Sequence, residues 1–132
     1  MSPSRPTGAA LFFDLMTELG IEVVFGHTGG AVIPLHVELN RRMRQGQPAP
    51  RFIMCRQEGG AGHAAEGYAR ASGRVGVALV TSGPGATNLT TPIADAFKDS
   101  IPTVFITGQV PSAAIGTDAF QEVDTVGVTR PI

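Results

Sequence analysis

Tryptophan is absent from the 132 residues, and tyrosine and cysteine occur once each. A lone Cys55 excludes a disulfide framework within the chain and any zinc site built on cysteine pairs. It fits a reducing compartment, so a cytoplasmic location is expected. Charge is also scarce, at 16% of residues, below the usual quarter. That scarcity points to a surface partly covered by an assembly interface. The net charge is −1, with basic and acidic residues interleaved, so neither a nucleic-acid patch nor a membrane-facing basic face is expected. No apolar run approaches the roughly 20 residues of a membrane span. The segment Met1 to Gly8 is short and polar and lacks the apolar core of a signal peptide. Residues 1–6 are expected to be a flexible N-terminus and 7–132 one domain.

Glycine is abundant, with 17 residues, and hydrophobic residues make up 42%, enough for a core. Thr7 suits an N-cap, and Leu11, Phe12, Leu15, Met16 and Leu19 follow at helical spacing up to Gly20. Ile21 to Phe25 reads as a buried strand and Gly26 to Gly30 as a turn. Val32, Leu35, His36, Leu39 and Met43 form a second helical stripe, closed by Arg41, Arg42 and Arg44. Gln45 to Pro50 is linker-like. Phe52 to Cys55 reads as a strand, Glu58 to Ser72 as a helix rich in Ala and Gly, and Val75 to Thr81 as the clearest strand. Ser82-Gly83-Pro84-Gly85 turns into a helix over 86–97, which Pro92 should kink or delay. Thr103 to Thr107 is a fourth strand. A loop follows to Asp118, with a short helix expected from Ala119.

Alternating helices and continuous apolar strands predict an α/β fold, a parallel sheet flanked by helices on both faces. Such sheets bind ligands beyond the carboxyl ends of their strands. Gly26 to Gly30, Arg56 to Glu58, Ser82 to Gly85 and Gly108-Gln109 each follow a strand, so the unusual residues converge on one edge. Taken alone, Glu58 reads as a first-turn acid favoured by the helix dipole. The small residues Gly59, Gly60, Ala61 and Gly62 weaken that helix start and suit close approach of another surface. Ser82 to Asn88 could cradle an anion, but it is neither a P-loop nor a Gly-x-Gly-x-x-Gly, because Asn88 stands at the third glycine. His27, His36 and His63 do not make a metal spacing, and no metal ligand is assigned. His36 falls on the apolar stripe and reads as core, and His63 as an interface residue. Cys55 reads as a small buried hydrophobe.

Read together, these segments resemble the pyrimidine-binding domain of acetolactate synthase large subunits. The matching stretches are Val24-Phe25-Gly26-x-x-Gly29-Gly30-Ala31, Glu58 to Arg70, Thr81 to Leu89, Ala94-Asp95-Ala96, Ile106 to Pro111, and Ile115 to Glu122. The middle stretches occur across thiamine-diphosphate enzymes, and the last two are more particular to acetolactate synthases. The resemblance implies that Glu58 hydrogen-bonds N1′ of the cofactor's aminopyrimidine and relays a proton. The activated cofactor then decarboxylates pyruvate and passes the two-carbon group to a second 2-ketoacid, a step of branched-chain amino-acid biosynthesis.

By the same resemblance, Gln121 joins Glu58 as catalytic. Gly29, Gly30, Ser82, Asn88 and Ser100 contact cofactors, with Ser100 near an FAD. Ala31, Pro111, Ala119 and Phe120 line the substrate entrance. Implied partners are a second catalytic subunit, in a homodimer or tetramer, and a regulatory small subunit. His27-Thr28 departs from the family's Tyr-Pro, Arg56-Gln57 from Arg-His, and Ser112-Ala113-Ala114 lacks the basic residues of many relatives.

The family holds the diphosphate through Mg²⁺ on a second domain with a Gly-Asp-Gly motif, which this chain lacks. The chain also stops inside a matched segment. An incomplete domain, inactive alone, is therefore expected. Three other readings stay open on the sequence: a related thiamine-diphosphate carboligase or decarboxylase, a phosphate-binding module using Ser82 to Asn88, and a noncatalytic module that dimerises through Glu58 to Ser72.

Overall fold

The structure, a computed structural model, describes residues 5–132. The expected flexible N-terminus lies mostly outside them, and Arg5 and Pro6 are exposed without regular structure. Four strands, β1 (Val23–Gly26), β2 (Arg51–Met54), β3 (Gly76–Val80) and β4 (Thr103–Thr107), form one sheet in the order β2-β1-β3-β4. All pairings are parallel, with Phe25 opposite Ile53 and Ala78, and Ala78 opposite Phe105. The expected α/β parallel sheet is therefore present. Among the described residues, no helix is long and apolar enough to cross a membrane.

The two faces of the sheet are built from different side chains. On one, Val24, Val77 and Leu79 pack with Val32, and Leu35 and Ile106 close around them. This is the side of helices α1 (Gly8–Glu18) and α2 (Ile33–Arg44). The other face takes α3 (Glu58–Ser72), whose Ala61, Ala65 and Ala69 are buried. There Gly76 meets the backbone of Ala65: a Cβ on Gly76 would sit 2.7 Å from the Ala65 carbonyl carbon and closer to its oxygen. Small residues thus bring α3 close to the sheet, which fixes where its first residue, Glu58, emerges.

The stripe expected on α1 is buried only in part: Met16 is buried and Phe12 half-buried. Phe13 is also buried, while Leu11, Leu15 and Leu19 are exposed. Arg42 of α2 holds this side of α1: it donates to the Ala10 carbonyl (2.9 Å) and to Asp14 (2.7 Å) and lies over the Phe13 ring. Arg42 is itself buried and also donates to Glu38 (2.8 Å) and to the Pro48 carbonyl (3.2 Å), so it ties the 45–50 connection down. On α2, His36 is half-buried edge-on against Phe52, at 4.8 Å. Burial lowers its pKa, and its Nε2 has no hydrogen-bond partner among the described residues.

Pro92 acts as expected. The helix after β3 is split into α4 (Pro84–Thr87) and α5 (Thr90–Lys98), with Pro92 in the first turn of α5, where its missing N–H is not needed. The helix expected from Ala119 does not form. Asp118 and Gln121 have φ of 55° and 59°, left-handed values that break a right-handed helix. The last helix, α6 (Thr125–Thr129), starts later, where the Asp124 side chain accepts from the Gly127 N–H at 2.9 Å and serves as an N-cap.

Candidate active site

The turn after β1 closes on the side chain of Thr81, which follows β3 and is 4% exposed, and the turn after β4 packs beside it. The Thr81 hydroxyl accepts from the Ala31 N–H at 3.3 Å. A Cβ on Gly29 would lie 2.6 Å from the Thr81 hydroxyl oxygen, and one on Gly85 would lie 2.8 Å from the Thr81 methyl group. From β4, Gly108 closes on the Ala31 methyl, which a Cβ would reach at 2.6 Å. These contacts are too close for any side chain, so the glycines here are required by approach.

Around this hub lies a cleft of about 450 Å³. Six residues expected from the sequence line it: Gly30, Ala31, Ser82, Pro111, Phe120 and Gln121. Gln109, expected at this strand-end edge, also lines it, together with Pro34 and Val110, which were not singled out. None of these lining residues is charged. The cleft offers a buried hydroxyl, two amides and apolar walls, the make-up of a site for a small polar organic ligand. Phe120 stands at its mouth and is 88% exposed. Ala119 does not line the cleft; it is half-buried and its carbonyl accepts from the Glu122 N–H at 2.9 Å.

Glu58 sits beside the cleft, on the other flank of the same β3 turn. Gln57 caps α3 by accepting from the Gly60 N–H at 2.8 Å. That cap leaves the Glu58 carboxylate free to point across to the turn. One oxygen, Oε2, accepts from Asn88 Nδ2 at 2.8 Å. The other, Oε1, lies 3.7 Å from where a Gly85 Cβ would be. Glu58 is half-buried, and Oε1 has no hydrogen-bond partner among the described residues. A carboxylate with one oxygen held and one free, facing a glycine, can exchange a proton with a flat ligand laid on that glycine.

The structure separates other expected residues. Ser100 is exposed in the turn that leads into β4, so it lies at the opposite end of the sheet from Glu58 and the cleft. Most backbone donors of the Ser82 to Asn88 turn, from Pro84 on, are used within it. The N–H groups of Gly85, Thr87 and Asn88 are bonded to the carbonyls of Ser82, Gly83 and Pro84, and Pro84 has no N–H. His63 does find acidic neighbours: its Nδ1 is 3.3 Å from Glu66 and 3.7 Å from Asp95. However, the other Glu66 oxygen is bonded to Arg70, which holds Glu66 below the usual carboxylate range, and Arg70 also pairs with Asp99. The cluster is an ion-pair network between α3 and α5. Its pattern was hidden in the sequence because His63 and Asp95 come from different helices.

Residues 6–128 match the family described as "Thiamine pyrophosphate enzyme, N-terminal TPP binding domain". The chain is 53% identical over 124 residues to the mitochondrial acetolactate synthase catalytic subunit of Saccharomyces cerevisiae, covering 94% of this chain and 17% of that protein. It is 53% identical over 131 residues to the acetolactate synthase large subunit of Corynebacterium glutamicum, covering 99% and 20%. With the large subunit of Lactococcus lactis it shares 51% identity over 129 residues, covering 97% and 22%. The chain therefore spans about a fifth of the length of these curated relatives. Because the family match runs from before α1 into α6, the chain belongs to the thiamine pyrophosphate enzymes and is similar to the N-terminal part of acetolactate synthases.

Proposed function

We propose that this chain provides the aminopyrimidine half of the active site of an acetolactate synthase. The enzyme would decarboxylate pyruvate and transfer the two-carbon group to a second 2-ketoacid in branched-chain amino-acid biosynthesis. One observation carries this reading: the half-buried Glu58 carboxylate, with Oε2 fixed by Asn88 and Oε1 free opposite Gly85.

The residues present fit an aminopyrimidine. Any side chain at position 85 would fill the space beside Oε1, whereas glycine leaves it open to a planar ring. Thiamine diphosphate, when bound, supplies a nucleophilic carbon and an electron sink for decarboxylation. Glu58 holds and moves a proton at Oε1. Asn88 fixes the carboxylate by donating to Oε2, so that the proton stays on the ligand-facing oxygen. Ser82 and Gln121 present polar groups to the 2-ketoacid in the cleft, while Phe120 and Pro111 restrict water at its entrance.

Mg²⁺ and the diphosphate would be held by a domain outside this chain, because the cleft offers no carboxylate to the cation and no Lys or Arg to the anion. That domain would come from a second catalytic subunit, in a dimer or tetramer, and a regulatory small subunit would be a further partner. An FAD touching Ser100 would lie away from the cleft, at the other end of the sheet. We assign the enzyme to the cytoplasm on the single cysteine.

The test is Glu58→Gln in the full-length protein, with acetolactate formed from pyruvate as the readout. Loss of proton transfer should lower kcat by about 100-fold or more, with thiamine-diphosphate binding retained. Turnover within about tenfold of the parent would refute the assignment. The isolated 132-residue chain, supplied with pyruvate, thiamine diphosphate and Mg²⁺, should form no acetolactate.

A further inference from the structure

The loop that carries Phe120 and Gln121 has few means of holding its shape. It contains three left-handed residues, Gly116 (φ 80°), Asp118 (φ 55°) and Gln121 (φ 59°). Two of these are not glycine, and such conformations persist only where surrounding contacts enforce them. Most residues from 112 to 120 are exposed, so apolar burial does not enforce them.

Two contacts do. At the base, the backbone of Gln121 lies against Gly83: a Cβ on Gly83 would come 2.7 Å from the Gln121 carbonyl carbon. Across the loop, the Glu122 carboxylate accepts from the Gly116 N–H at 2.6 Å. That bond spans six residues and draws the two ends of the loop together. The Glu122 N–H also donates to the Ala119 carbonyl at 2.9 Å, so the same residue closes an inner turn. Hydrogen bonds to an ionised acceptor are short and strong, and this is the only side-chain bond among the described residues that bridges positions 116 to 122.

We infer that Glu122 is a positioning residue: by accepting the Gly116 N–H it clamps the 116–122 loop, and so sets Phe120 and Gln121 over the cleft. Its own carboxylate does not line the cleft. The kinetic part of this inference rests on the 2-ketoacid reading of the cleft; the clamp itself does not.

The experiment compares Glu122→Ala and Glu122→Gln in the full-length protein. Glutamine keeps a carbonyl acceptor of the same reach, so it separates the clamp from the charge. Amide hydrogen exchange at Gly116 should speed up by about tenfold in Glu122→Ala and return toward the parent in Glu122→Gln. For the 2-ketoacid, KM should rise by about tenfold in Glu122→Ala, with kcat changed less, and Glu122→Gln should rescue it. Unchanged exchange at Gly116, or a glutamine variant as impaired as alanine, would overturn the clamp. If exchange responds as expected but the parent protein turns over no 2-ketoacid, the clamp stands and the proposed function fails.

Discussion

The closest approach between helix and sheet makes a quantitative prediction for Gly76→Ala. The new methyl would sit 2.7 Å from the Ala65 carbonyl carbon and nearer still to its oxygen. Non-bonded carbons rest at about 3.5–4.0 Å, so α3 and β3 must separate by about 1 Å. No rotamer change can relieve the clash, because both partners are backbone. Separation would also open gaps beneath Ala61, Ala65 and Ala69, which are 0–4% exposed. Overpacking costs about 1–3 kcal/mol where side chains can adjust, and here it should reach or exceed about 3 kcal/mol. Gly67→Ala is the matched control. It lies on the same helix with nothing within 4 Å of its Cβ position. It should stabilise by up to about 1 kcal/mol through helix propensity. Urea unfolding followed by circular dichroism measures both. A Gly76→Ala protein within about 1 kcal/mol of the parent, or an equally damaging Gly67→Ala, would refute the backbone clash.

Replacing Arg42 by Met should destabilise by about 3 kcal/mol, the low end for removing one partner of a buried pair. The low end applies because Arg41 still bonds Glu38 at 2.7 and 2.6 Å, and Asp14 is open to water. Denaturant unfolding beside Arg41→Met, which should cost less, checks it; equal effects would refute the central role of Arg42. The same pair predicts acid sensitivity. Arg41 and Arg42 hold Glu38 at about 2, against an ordinary 4.5. Its contribution to stability is therefore full above pH 4.5 and is lost as pH falls through about 2. Glu38→Gln should reduce the slope of stability against pH in that window, without abolishing it, because Arg70 lowers Glu66 as well. An unchanged slope in a pH series of urea melts would refute the assignment.

Much of the fold was readable because its cues are local. An unbroken apolar run predicts β3, and the rule that parallel sheets bind ligands at strand ends places the glycine turns on a common edge. Helix rotation was less readable. On α1 the spacing selects Leu11, Phe12, Leu15, Met16 and Leu19; Met16 is buried, but Leu11, Leu15 and Leu19 are exposed, while Phe13 is buried beneath Arg42 of α2. The helix assigned to Ala119 failed for a similar reason: propensity does not reveal that Asp118 and Gln121 are held in left-handed conformations.

At the site, Gln121, Ser82 and Ala31 were expected and do share a cleft. Thr81 was missed because a threonine at a strand end looks ordinary. Three glycine-bearing turns that must land near one point were the available signal. The small residues after Glu58 have a partly internal explanation. Gly62 accommodates Pro92 of α5, and Gly59 accommodates the Asn88 carbonyl, whereas Gly60 has only the Gln57 side-chain oxygen within 4 Å. An external surface is therefore not needed to account for most of them.

The shared anchor at Thr81 has an evolutionary consequence. The turns at Gly29 to Ala31 and at Gly85 are fitted to this buried side chain, and the turn at Gly108 is fitted to Ala31 beside it. A lengthened or shortened turn at one of them would disturb the other two, so these turns must change together. At the other sheet end, 45–50 is held by Arg42 and 73–75 by the Arg74–Glu22 pair, so each connection has a separate contact. Variation in loop length among related chains should therefore concentrate there, while the binding edge changes by single-residue substitutions at the cleft.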